Sequence, residues 1–74
     1  MANTEKKEDR FKRIAENRTN RIIEGLRLLG NCSNRANYAY TEADVQKIFS
    51  AIETELKETK RKFHDGRPPQ KFEL

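Results

Sequence analysis

The side chains best placed to do chemistry are arginines and asparagines that recur at three- and four-residue intervals in the first half of the sequence. This spacing puts residues on one side of an α-helix. Guanidinium groups bind phosphate oxygens, and carboxamide groups hydrogen-bond the edges of bases. The pattern therefore predicts a nucleic-acid contact surface. Its predicted members are Arg10, Arg13, Asn17, Arg18, Asn20, Arg21, Arg27 and Arg35.

The same residues also fit a solvated helix face crossed by ion pairs, or a face that binds protein. Acidic residues stand three or four positions from several of the basic ones, a distance at which helical side chains meet. Arg18 falls near the apolar stripe, where it would lie at the edge with its charge in water or pair with an acid of the second helix. The available local pairs are Glu8 with Lys12, Asp9 with Arg13 and Glu24 with Arg27.

Catalytic and metal-binding chemistry has few residues to draw on. Acid–base and nucleophilic catalysis need groups that converge in a pocket, and the chain has one histidine, His64, and one cysteine, Cys32. One of each falls short of a zinc ligand set. We therefore expect no enzyme activity, no cofactor and no metal. His64 is interpreted as a solvated helix-end residue. Cys32 is interpreted as a small apolar loop residue, with an intermolecular disulfide as the alternative.

Positive charge is concentrated in the first half of the chain. Residues 1–40 contain nine Lys or Arg and five Asp or Glu, whereas residues 41–74 contain seven of each. The net charge of +4 therefore belongs to the first half. A one-sided basic field favours binding to polyanions or to an acidic protein surface.

The length and composition indicate one small domain with a thin core. The chain has 74 residues, of which 34% are hydrophobic and 38% are charged, and a domain of this size is marginally stable alone. The sequence has no secretion signal and no apolar run near 18 residues, so we expect a soluble, cytoplasmic protein that does not enter a membrane.

Two amphipathic stretches predict an all-α fold, a two-helix antiparallel hairpin. The first helix is predicted over 8–29, with Gly30 as a left-handed C-cap, and the second over 41–63. Because each has one apolar stripe and the core is thin, we expect the hairpin to self-associate into a helical bundle, as a homodimer. The stripes consist of Phe11, Ala15, Ile22, Leu26 and Leu29 in the first helix and Val45, Ile48, Phe49, Ile52, Leu56 and Phe63 in the second.

The start of the second helix has the clearest local signal. Thr41 is the predicted N-cap, and Asp44 takes the place of Glu in a capping box. Tyr40 and Val45 flank this cap as a hydrophobic staple. Farther along, Glu53 with Lys57 and Glu58 with Lys62 are spaced for ion pairs.

The link over 30–40 is a second candidate surface, for binding protein. Its predicted contact residues are Asn34, Asn37, Tyr38 and Tyr40, because exposed loops with tyrosine are common recognition surfaces. The alternative is a structured turn in which these side chains only satisfy the backbone. Ser33 would then cap a short turn over 34–37.

The two ends are predicted to be less ordered. Residues 1–7 form a frayed N-terminus with Thr4 as a possible cap, and residues 64–74 form a flexible tail. Within the tail, Pro68 and Pro69 lack backbone donors and stop a helix.

The stretch Arg18–Phe63 resembles small bacterial mobile-element and phage proteins that have no assigned activity. The similarity rests on Leu28-Leu29-Gly30-Asn31-Cys32-Ser33-Asn34, followed by Asn37-Tyr38-Ala39-Tyr40-Thr41. No functional residue follows from it. In architecture the chain also resembles the small plasmid RNA-binding hairpin that dimerises into a four-helix bundle, a likeness of shape that says little about function.

Three hypotheses follow for a small non-enzymatic binding protein. The first is a nucleic-acid-binding accessory or regulatory protein of a bacterium or mobile element, with DNA or RNA as its partner. The second is a protein-binding adaptor or inhibitor, for example a phage or mobile-element antagonist of a host nucleoprotein. The third is a purely structural oligomer.

Overall fold

The chain folds into two long α-helices joined by a short link. The structure is a computed structural model that describes residues 5–65. Helix α1 spans Lys7–Asn31 and helix α2 spans Glu42–Asp65, with no strand among those residues. The chain divides into two units, and the boundary lies between Ala39 and Tyr40. The all-α class and the two-helix connectivity of the predicted hairpin are confirmed, while antiparallel packing and self-association stay predictions.

Helix α1 starts one residue before its predicted start and without a side-chain cap. Lys6 occupies the N-cap position in an extended conformation, with no capping hydrogen bond from its side chain. Glu8 and Asp9 stand in the first turn, where negative charge is favourable to the helix dipole. The predicted cap residue Thr4 lies outside the described residues.

The end of α1 differs from the prediction at Gly30. This residue was expected to end the helix in a left-handed conformation, but α1 continues through it to Asn31, and no described glycine has a positive φ. Cys32 closes the helix in a right-handed conformation instead. Its N–H donates to the carbonyl of Leu29 at 3.0 Å, and the N–H of Ser33 donates to Gly30 at 3.1 Å. These tighter bonds satisfy the last carbonyls without a left-handed residue.

The predicted capping box at the start of α2 is confirmed. The backbone N–H of Asp44 donates to Thr41 Oγ1 at 3.1 Å, and the backbone N–H of Thr41 donates to Asp44 Oδ2 at 2.9 Å. Two of the donors that a helix start leaves unpaired are thereby satisfied. Tyr40 and Val45, the predicted staple, are both half-buried.

Helix α2 runs two residues beyond its predicted end, and Arg61 forms its ion pairs. The Arg61 guanidinium bonds Glu58 one turn before it, through Nε at 3.1 Å, and Asp65 one turn after it. The Arg61 hydrogen bond lowers the pKa of Glu58, and the charge of Lys62 adds to that lowering. The predicted Glu53–Lys57 ion pair does not form within residues 5–65.

The apolar stripes of both helices are open to solvent. None of the residues 5–65 is buried. Ile22 on α1 is 65% exposed, and on α2 Leu56 is 51% and Phe63 is 61% exposed. Only a few residues are half-buried, namely Glu5, Ile14, Ala15, Leu29, Tyr40, Val45 and Ile52. Contiguous exposed apolar surface of this kind is uncommon on monomeric proteins.

Candidate nucleic-acid interface

The predicted basic residues of α1 share one exposed side of the helix. Because an α-helix turns by about 100° per residue, Arg10, Asn17 and Arg21 fall on one line along α1. Arg13, Asn20 and Arg27 lie beside that line, on the side away from Ile22 and Leu26. All six are exposed, as are Arg18, near the apolar stripe, and Arg35, in the link. We call Arg10, Arg13, Asn17, Asn20, Arg21 and Arg27 the cationic face of α1.

Arg13 is held by Glu5, which precedes the helix. Arg13 Nη2 donates to Glu5 Oε1 at 2.9 Å and Arg13 Nε donates to Glu5 Oε2 at 3.0 Å, a two-point guanidinium–carboxylate contact. The hydrogen bond from Arg13 lowers the pKa of the Glu5 carboxyl, and the same bond raises the pKa of Arg13. Arg10 Nε lies 3.9 Å from Glu5 Oε1. Glu5 therefore neutralises mainly Arg13 and only partly offsets the charge of Arg10.

The sequence offered Asp9 as an available partner for Arg13, but Arg13 pairs with Glu5 instead. Side chains of an α-helix tilt toward its N-terminus, so the long Arg13 side chain reaches back to the residues before α1. Glu5 lies eight residues before Arg13. Ion pairs within a helix are predicted from spacings of three and four residues, so this pair is not predicted from the sequence. The position of Glu5 depends on how the chain enters the helix at Lys6.

The other arginines of α1 are less constrained. Arg27 Nη1 lies 3.7 Å from Glu24 Oε2, so this predicted pair is confirmed, and both side chains are well exposed. Ion pairs of this kind contribute little in water and weaken with salt. Arg18 and Arg21 form no ion pair with any other residue of the described range 5–65. Their charges are therefore open to an external anion.

The link contains a turn organised by Asn34, and the capping role expected of Ser33 stays a prediction. Asn34 Oδ1 accepts a hydrogen bond from the backbone N–H of Ala36 at 3.0 Å. The backbone carbonyl of Asn34 accepts from the backbone N–H of Asn37 at 3.1 Å and of Tyr38 at 3.0 Å. An asparagine side chain that bonds the backbone two residues on is a common way to build a turn. Asn34 therefore serves the turn, as the structured-turn alternative expected.

The other three protein-binding candidates of the link differ in how exposed they are to solvent. Tyr38 is 52% exposed and Asn37 is exposed, whereas Tyr40 is half-buried beside the cap of α2. Tyr38 and Asn37 therefore offer contact atoms to a second molecule, and Tyr40 offers fewer.

The two residues most often involved in catalysis or metal binding are placed apart from any ligand cluster. Cys32 is an exposed free thiol at the end of α1, and His64 lies in the last turn of α2. Within residues 5–65, no group of three or more His, Cys, Asp or Glu residues is placed to hold a metal ion.

Neither helix of the described range is long and apolar enough to span a membrane. In comparisons with known proteins, no family model, no curated protein and no solved structure matches the chain.

Proposed function

We propose that this chain is a small non-enzymatic nucleic-acid-binding protein of the cytoplasm, an accessory or regulatory protein of a bacterium or mobile element. The supporting observation is the line formed by Arg10, Asn17 and Arg21 on the exposed side of α1. At 1.5 Å per residue this line is about 16 Å long, enough to follow several phosphates of a nucleic-acid strand.

The arginines of this line provide the affinity. Arg21 carries an uncompensated charge within the described range, and Arg10 shares a carboxylate that is already bonded to Arg13. Each phosphate that such a side chain neutralises releases a counterion, so the affinity falls as salt rises. Asn17 lies between the two arginines, and its carboxamide can bond a base edge while they hold the backbone. Arg18 extends the charged surface sideways.

The proposal is tested by titrating labelled DNA and RNA oligomers with the full chain at several salt concentrations. We expect the logarithm of the binding constant to fall linearly with the logarithm of salt. The double variant Arg10→Gln/Arg21→Gln removes two phosphate contacts and should reduce the magnitude of the slope by about 2.

A matched control is Arg61→Gln, which removes an arginine that is bonded to Glu58 and Asp65 on α2. This variant should keep most of the slope. Retention of the oligomers that is unchanged between low and moderate salt, or absent at both, contradicts the proposal.

A second candidate function is a protein-binding adaptor or inhibitor, supported by the exposed apolar stripe of α1. Ile22 is 65% exposed and Leu26 is 44% exposed. A shallow depression nearer the start of α1 is lined partly by Phe11, Ala15 and Thr19. A pull-down that yields one stoichiometric protein partner, insensitive to nuclease, favours this function over the first. Such a partner should be lost on Ile22→Glu.

A further inference from the structure

Five apolar residues of α2 and one threonine follow the spacing of a coiled-coil seam. Positions 45, 49, 52, 56, 59 and 63 are separated by four, three, four, three and four residues, which places them at alternating d and a positions of a heptad. We call these six residues the α2 seam. Phe49 is 47% exposed, and Leu56 and Phe63 are more exposed still. The seam is therefore accessible at Phe49, Leu56 and Phe63, whereas Val45 and Ile52 are half-buried.

Thr59 is the one polar residue of the seam, and its hydroxyl is already satisfied. Thr59 Oγ1 donates to the backbone carbonyl of Glu55 at 2.8 Å. A hydroxyl that bonds within its own helix carries a smaller cost when it is buried than one with no partner. Covering the seam at Thr59 would therefore leave no unpaired donor.

The residues beside the seam carry charge in an ordered pattern. Glu53 and Glu55 flank its middle, and Lys60 and Lys62 flank its C-terminal part. Glu55 and Lys60 form no ion pair with any residue between 5 and 65. The local ion pairs of α2 centre on Arg61, which lies on the side away from the seam. These flanking charges are therefore available to a second helix.

We propose that the α2 seam packs against the same seam of a second copy of this chain, parallel and in register. In that arrangement Glu55 at a g position faces Lys60 at the e position of the second copy, and the pair occurs twice by symmetry. All six seam positions of each copy are covered. The proposal concerns α2 alone and stands whether or not α1 binds nucleic acid.

The antiparallel arrangements are less favourable. Full antiparallel overlap of the seams sets Glu53 against Glu53 and Glu55 against Glu55, and like charges repel. A shifted antiparallel overlap pairs the glutamates with the lysines but leaves Val45 and Phe49 outside the contact. Buried apolar side chains contribute more than exposed ion pairs, so the charge gain does not compensate for the lost burial.

At least two copies of the chain are needed to cover the seam residues. Leu56 at an a position and Ile52 at a d position are a combination that favours more than two strands in parallel coiled coils. Sedimentation equilibrium therefore determines the number of copies, as the ratio of the measured mass to the chain mass of 8.7 kDa.

The test is sedimentation equilibrium of the full chain, under reducing conditions and after nuclease treatment, so that neither Cys32 nor bound nucleic acid links the copies. We expect a mass of at least two chains at micromolar concentration. Leu56→Glu should weaken association at least tenfold. Leu28→Glu is the matched control, because Leu28 is similarly exposed, at 59%, but lies on α1. A monomer at high micromolar concentration, or Leu56→Glu associating like the original chain, overturns the proposal.

The parallel register is tested with two exposed substitutions that leave the seam intact. Glu55→Lys alone and Lys60→Glu alone each place like charges opposite one another. Mixing the two variants restores two opposite-charge pairs in the parallel arrangement, so the mixed assembly should be about fivefold tighter than either variant alone. The shifted antiparallel arrangement gives the mixture no advantage. Equal association of the mixture and the separate variants overturns the parallel register.

Discussion

Glu5 and Arg13 are bonded to each other across eight residues at the start of α1. The two hydrogen bonds, of 2.9 and 3.0 Å, hold the carboxylate against the guanidinium and bring Glu5 within 3.9 Å of Arg10. A residue outside the helix thus sets how much of the charge of the cationic face is open to a ligand.

Replacing Glu5 by Gln should strengthen binding to a polyanion. The change removes the carboxylate that neutralises Arg13, so this arginine becomes open to phosphate in addition to Arg10. In salt titrations with a labelled oligomer, the slope should steepen by about 1, the increment of one added phosphate contact. Glu42→Gln is the control with the same charge change, on α2. An equal steepening in both variants would show that net charge alone is responsible.

The Glu5–Arg13 contact should support the start of α1 in a pH-dependent way. Because the pKa of Glu5 is lowered in the folded chain, its contribution is present above the ordinary glutamate pKa and is lost as pH falls through the lowered value. The original chain should therefore be slightly more helical than Glu5→Gln at neutral pH, and the two should converge in acid. Circular dichroism at both pH values measures this, and a difference that persists in strong acid would contradict it.

Replacing Thr41 by Ala should destabilise α2 by about 1 kcal/mol, the usual cost of losing an N-cap side chain. The substitution leaves the backbone N–H of Asp44 without its acceptor. Urea unfolding followed by circular dichroism measures the change. Thr54→Ala is the control, because Thr54 is an exposed position in the middle of α2, where alanine is the better helix former. Its expected effect has the opposite sign.

Replacing Gly30 by Ala should stabilise α1 by about 0.4–1 kcal/mol, because alanine narrows the unfolded ensemble and favours helix. Gly30 lies within the helix without a positive φ, and an added Cβ would meet nothing within 4 Å. Gly25→Ala, in an equally open helical position, should behave in the same way. A loss of stability at Gly30 alone would indicate the left-handed cap that the sequence had suggested.

Features that depend on neighbouring residues were predictable from the sequence. The period of the apolar residues indicates two helices, because one face of each must be apolar to pack. The Thr41–Asp44 box was predictable for the same reason, since both partners stand within one turn of the helix. The Glu24–Arg27 pair follows from i, i+3 spacing.

Features that depend on the path of the backbone required the structure. Gly30 is compatible with a left-handed cap and with continued helix, and the bonds of Cys32 and Ser33 to the last turn of α1 select the second. An asparagine side chain can bond several nearby backbone groups, and the structure shows that Asn34 Oδ1 accepts from the N–H of Ala36. Asp9 is nearer to Arg13 in the sequence, yet Arg13 bonds Glu5, because the extended backbone at Lys6 places the Glu5 carboxylate beside the Arg13 guanidinium. Residue spacing indicates which side chains lie close within one helix, but the position of a residue outside the helix follows only from the three-dimensional course of the chain.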